Sequence, residues 1–229
     1  MWPVMTQERW NAVDGYIGDL FVGSDDVLEA ALVASREAGL PPINVAPNQG
    51  KFLMLLARAL GARWILEVGT LGGYSTIWLA RALPSGGRVV TLEVDPGNAD
   101  VARRNFDRAG LADVVDVRVG PAQDTLPALI AENREPFDLI FIDADKQSYP
   151  EYLGWSLELS RAGTVIIADN VVRDGAVIDV ATEDPNIQGI RRFNELLAAE
   201  PRVVATAIQT VGIKGYDGFA IALVTGHEG

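Results

Sequence analysis

Trp64-Ile65-Leu66-Glu67-Val68-Gly69-Thr70-Leu71-Gly72-Gly73-Tyr74-Ser75 is the stretch on which the reading of this chain turns. A short, mostly apolar run of strand character enters a cluster of glycines and leaves it as a helix-like segment over residues 75–83. Glycines at such a turn let the backbone reverse sharply and let a ligand come close to the chain. Outward from this unit the pattern repeats. Residues 88–94, 114–119, 137–142 and 164–168 are further apolar runs, and segments 98–109 and 122–132 between them have helix length. Near-continuous Val/Ile/Leu runs read as strands covered on both faces, joined by the crossovers that parallel pairing requires. The order predicts an α/β fold with a doubly wound, Rossmann-like sheet and helices on both faces.

The two ends depart from this alternation. Residues 1–61 read as an N-terminal helical extension, helical over 6–61, to an α/β core at 62–229, the whole forming one domain. Ser24-Asp25-Asp26 suits a helix start and Gly39-Leu40-Pro41-Pro42 a stop. Residues 203–210 and 219–224 are β-rich, and the Gly-containing link 211–218 is too short for a parallel crossover. The sheet is therefore expected to finish with an antiparallel strand, unlike an ordinary dinucleotide-binding domain.

Composition narrows the chemistry. With 31 acidic and 19 basic residues the formal net charge is −12, which repels phosphate backbones, and no run of Lys/Arg along the chain offsets it. Nucleic acid is an unexpected partner on this ground. The sequence has no cysteine, so thiolate metal sites and disulfides are excluded and a cytoplasmic location is expected. Its one histidine, His227, stands three residues from the end, which argues against imidazole catalysis. Neither a leader of the secretory type at Met1–Arg9 nor a membrane-length apolar stretch is read in the sequence.

Ligand chemistry is concentrated at the strand ends. The glycines at 69, 72 and 73 do not fit G-x-G-x-x-G, and Glu67 would set a negative charge beside any pyrophosphate on this turn. Glu93, closing the second strand, is placed to accept hydrogen bonds from ribose hydroxyls. Together these favour an adenosine-containing ligand over a nicotinamide dinucleotide, and the Glu67 carboxylate suits a cationic one. Strand four ends in Asp143-Ala144-Asp145-Lys146 and strand five in Asp169-Asn170. Each acid alone would serve as a helix cap or turn residue. On neighbouring strand tips Asp143, Asp169 and Asn170 would instead offer two carboxylates and an amide oxygen to a hard cation, Mg²⁺ best, with Ca²⁺ or Mn²⁺ also suited.

On these residues the chain resembles the cation-dependent O-methyltransferases, the group of catechol and caffeoyl-CoA O-methyltransferases. Leu66-Glu67-Val68-Gly69-Thr70 with Gly72-Gly73-Tyr74-Ser75, the run from Phe137 to Lys146 and the run from Gly163 to Val171 carry the resemblance. It extends from about Val45 to the C-terminal strands. It implies a class I methyltransferase fold, with a mostly parallel seven-stranded sheet and one antiparallel strand. It implies S-adenosylmethionine as methyl donor and a divalent cation held by Asp143, Asp169 and Asn170. Lys146 falls at the position of the general base, beside Asp143. Val45, Glu67, Gly69, Thr70, Ser75, Glu93, Ala122 and Asp145 fall at donor-binding positions. Val45 and Ala46 replace hydroxyl residues common in relatives, and Asp174 stands where plant relatives place an asparagine toward substrate.

The activity so implied is methylation of a hydroxyl on a small catechol-like or phenolic acceptor. A cation at the acidic cluster would acidify the bound hydroxyl and orient it, and Lys146 would take the proton. Relatives include both dimers and monomers. A homodimer is expected here, with Trp10, Ile17, Leu20 and Phe21 of the helical segment at its interface or over the substrate. The competing readings are an NAD-dependent oxidoreductase, a nucleic-acid methyltransferase and a non-catalytic adenosyl-cofactor-binding module. The glycine spacing opposes the first, the net charge the second, and the intact set Asp143, Lys146, Asp169 and Asn170 the third.

Overall fold

The computed structural model describes residues 6–226, so that Met1–Met5 and His227 lie outside the described residues. Seven strands form one sheet: β1 (Trp64–Val68), β2 (Arg88–Glu93), β3 (Val115–Val119), β4 (Leu139–Ile142), β5 (Val165–Asp169), β6 (Val203–Gly212) and β7 (Gly215–Val224). Their spatial order is β3-β2-β1-β4-β5-β7-β6. β1 to β5 pair in parallel, and β7 runs antiparallel to both of its neighbours. The one antiparallel strand is as expected, but it is inserted between β5 and β6 rather than closing the sheet. The link at 211–218 is also shorter than its sequence reading. Both strands continue into it and leave Ile213-Lys214 as the turn, with Gly215 at φ +92°. Glycine tolerates that backbone angle, so the hairpin closes tightly.

Alternation along the strands builds two cores. Leu66, Val68, Val90, Leu92, Ile140, Ile142, Ile166 and Ala168 face one side, while Ile65, Val89, Leu139, Phe141, Val165 and Ile167 face the other. The first side is covered by α6 (Ala122–Ala131), α7 (Tyr149–Glu158) and α8 (Pro185–Ala199). The second is covered by α3 (Pro47–Leu60), α4 (Tyr74–Ala80) and α5 (Pro96–Ala109), with α2 (Asp26–Glu37) packed outside them. Among the described residues no helix is long and apolar enough to cross a membrane.

Local chemistry sets the helix starts. Asp25 caps α2 by accepting from Leu28 N at 3.1 Å, as the Ser-Asp-Asp signal implied. The same carboxylate takes two bonds from Arg81 at the end of α4, tying the N-terminal layer to the core. Asp95 caps α5, with Pro96 as the first helical residue. Helix α1 (Gln7–Ile17), extended by a π turn over Gly18–Val22, packs against β6. Residues 7–60 thus hold α1, the π turn, α2 and α3, of which α1 lies against the edge strand β6 while α2 and α3 belong to the layer on one face of the sheet.

Candidate active site

Strand order reverses between β1 and β4, and there the chain opens a crevice at the strands' carboxyl ends. A cavity of about 690 Å³ fills it, within the range that encloses a small organic ligand. Gly69 makes the approach possible. It has φ +102°, and a Cβ there would lie 2.1 Å from the Asp143 carbonyl oxygen, so the first loop can sit against strand four only without a side chain. Val45, Gly69, Thr70, Ser75, Glu93, Ala122 and Asp145 all line this cavity, as do Asp143, Lys146 and Asn170.

Glu93 is held by the loop it faces. Its Oε2 accepts from Leu71 N at 2.7 Å and Thr70 N at 3.3 Å, and its Oε1 accepts from Asp95 N at 2.9 Å. Glu67 stands apart from the other residues expected at the donor site, because it does not line the cavity. It is fully buried behind the cavity wall, where its two oxygens accept from Ser75 Oγ, Thr76 Oγ1 and Thr91 Oγ1. Burial pushes its carboxyl up to about 7, with the three hydroxyl donors opposing and Asp143 adding to the rise. Ser75, which does line the cavity, connects this carboxyl to the ligand space.

The register Ile142↔Ala168 puts Asp143 beside Asp169 at adjacent strand tips. Lys146 lies in a 3₁₀ turn (Lys146–Ser148) capped by Asp145, and its side chain is buried. Lys146 Nζ donates to Asp143 Oδ1 at 2.9 Å and to Tyr149 Oη at 2.7 Å. The Tyr149 hydroxyl in turn reaches the carbonyls of Ile142 and Asp169, at 3.2 and 3.0 Å. Asp169 is buried, and its carboxyl is pushed up to about 7, first by burial and then by the charge of Asp143. Two like charges facing each other favour a cation between them. Asn170 continues the turn at φ +58°, a left-handed conformation that asparagine tolerates. No three carboxylate or imidazole side chains gather into a cation cage among the described residues. The candidate set is two carboxylates and an amide, hard oxygen donors of the kind Mg²⁺ accepts together with water or substrate oxygens.

The model of a family described as O-methyltransferase matches residues 24–223. The chain belongs to this O-methyltransferase family. A catechol O-methyltransferase from Niastella koreensis is 56% identical over 220 residues, covering 96% of this chain and 100% of that protein. One from Mycobacterium tuberculosis is 53% identical over 212 residues, covering 93% and 94%. An O-methyltransferase from Bacillus cereus, solved in complex with SAH, superposes with a TM-score of 0.95 at 61% identity, covering 96% and 100%. The fold is thus that of the class I methyltransferases, and the protein is an O-methyltransferase.

Two residues of this candidate site escaped the sequence reading. Tyr149 follows Lys146 by one helical turn, a spacing that could have suggested the contact. Gln49, whose Nε2 donates to Asp169 Oδ2 at 2.7 Å, comes from α3 far earlier in the chain and gave no local signal. Asp174 does not line the cavity; its backbone N–H is bonded to Tyr216 O at 3.1 Å, and its φ is +54°.

Proposed function

We propose that this O-methyltransferase takes its methyl group from S-adenosylmethionine and delivers it to a hydroxyl of a small catechol-like acceptor, with a divalent cation held by Asp143, Asp169 and Asn170. The observation that carries this reading is that Glu93 and the Gly69–Gly72 loop at one end, and Asp143, Lys146 and Asn170 at the other, line a single cavity. In-line displacement requires donor and acceptor to lie this close.

In the reaction so inferred the acceptor oxygen bonds to the methyl carbon as the carbon–sulfur bond breaks, and the electron pair stays on sulfur. Glu93 accepts from the ribose hydroxyls. Glu67 sits beneath the donor, and its charge, communicated through Ser75, suits a sulfonium or ammonium. The hydroxyl proton passes to Lys146 in its amine form, which Asp143 and Tyr149 hold in place. A bound divalent cation would supply acidification and orientation of the acceptor hydroxyl. Two neighbouring hydroxyls suit that arrangement better than one, and the catechol O-methyltransferase relatives agree with it.

Calorimetry tests the donor half of the proposal. S-adenosylhomocysteine is expected to bind and NAD to show no heat, and binding of NAD in place of S-adenosylhomocysteine would overturn the reading.

A further inference from the structure

We propose that Gln49 is a positioning residue for the cation site, orienting the Asp169 carboxylate and joining it to the N-terminal helical layer. This inference rests on the reading of Asp169 as a cation ligand. Asp169 Oδ2 accepts from Gln49 Nε2 at 2.7 Å, and Oδ1 accepts from Asn170 N at 2.8 Å. One donor on each oxygen fixes the plane of the carboxylate and leaves lone pairs on both. The Asn170 bond is local and follows from the turn. The Gln49 bond spans 120 residues and exists only because α3 is docked where it is.

That docking is tight. Gly50 follows Gln49 in the first turn of α3, and a Cβ on it would fall 2.3 Å from the Trp78 ring. Helix and indole therefore meet without a gap, and the glutamine is held at a set height above β5. The preceding residue looks the other way. Asn48 Nδ2 donates to Asp14 Oδ1 at 2.9 Å, and Asp14 Oδ2 accepts from Ile213 N at 2.7 Å at the tip of the β6–β7 hairpin. Gln7 Nε2 adds a 2.8 Å bond to Gly212 O. Two successive amides at the start of α3 thus serve two purposes. Asn48 secures α1 and the hairpin, and Gln49 secures a carboxylate of the site. Donors behind a metal-binding carboxylate fix its orientation, and losing one typically weakens metal binding roughly 10–100-fold.

The test uses the full chain, with Mn²⁺ binding followed by electron paramagnetic resonance of the free ion and S-adenosylhomocysteine binding followed by calorimetry. Gln49→Leu removes the donor at nearly constant volume. It is expected to weaken Mn²⁺ binding roughly 10–100-fold while S-adenosylhomocysteine affinity stays within about twofold of wild type. If that variant does not fold, Gln49→Met, of similar length and also without a donor, answers the same question. Unchanged Mn²⁺ affinity would overturn the positioning role and leave the cation site standing. Parallel losses of Mn²⁺ and S-adenosylhomocysteine affinity would make Gln49 merely structural and equally overturn it. A wild-type protein that binds no Mn²⁺ would overturn the cation reading itself, and this inference with it.

Discussion

Replacing Glu67 by glutamine removes the one carboxyl, among the described residues, that the fold buries completely, behind the wall of the cavity. The wild-type group is held at about 7, against 4.5 for an ordinary glutamate, because burial outweighs the help of Ser75, Thr76 and Thr91. A carboxyl with a raised folded value stabilises the protein at low pH, where it is protonated in both states. That contribution is lost as pH rises toward and through 7, since the unfolded chain then releases a proton the folded one retains. With those two values the loss between pH 5 and pH 8 is about 2–3 kcal/mol. Glu67→Gln cannot ionise and escapes it. In urea unfolding of the ligand-free proteins, followed by tryptophan fluorescence, the stability of the variant relative to wild type should therefore rise by about 2–3 kcal/mol from pH 5 to pH 8. The comparison cancels the same-signed contribution of Asp169, which both proteins keep. A difference that stays constant across this range would refute the reasoning, because it would mean that Glu67 is ionised throughout.

Glu93→Ala should weaken S-adenosylhomocysteine binding by about tenfold or more in calorimetry, through loss of charge-assisted hydrogen bonds to ribose and of the bonds that hold Thr70 and Leu71. Lys146→Ala should lower kcat by roughly 10²–10⁴-fold, and the loss should shrink for nitro-substituted catechols, whose hydroxyl needs less help to ionise. An equal loss for acidic and ordinary catechols would leave Lys146 a purely electrostatic residue. Light scattering should report a particle of twice the 24.6 kDa chain mass, because Tyr16, Leu20 and Phe21 of the N-terminal helical segment expose 65%, 58% and 64% of their surface. A mass of one chain at micromolar concentration would exclude the dimer.

Much of this protein was legible before folding. The five parallel strands announce themselves because both faces are covered, so that Leu66 and Ile65, or Ile140 and Phe141, are apolar in turn while entering different cores. Asp143, Lys146 and Asn170 were legible because strand ends in this topology must converge. What stayed hidden depends on contacts between distant segments. Gln49 looks like any polar residue at a helix start until α3 is docked over β5. Glu67 reads as a lining residue at the loop, yet three hydroxyls from α4 and β2 draw its carboxylate inward. The basic residues show the same effect. No run of Lys/Arg appears along the chain, but Arg88, Arg118 and Arg134 line one depression over β2 and β3, where Arg134 stacks 4.5 Å from the Trp64 ring.

Methyl transfer itself tests the account most directly. The purified protein would be given S-adenosylmethionine labelled at the methyl group and a simple catechol, first with excess chelator and then with Mg²⁺ restored. Labelled O-methyl product should form only when the cation is present, and Asp169→Ala should abolish it while S-adenosylhomocysteine still binds. Full activity in excess chelator, or an active Asp169→Ala protein, would contradict the claim that Asp143, Asp169 and Asn170 hold a cation on which catalysis depends.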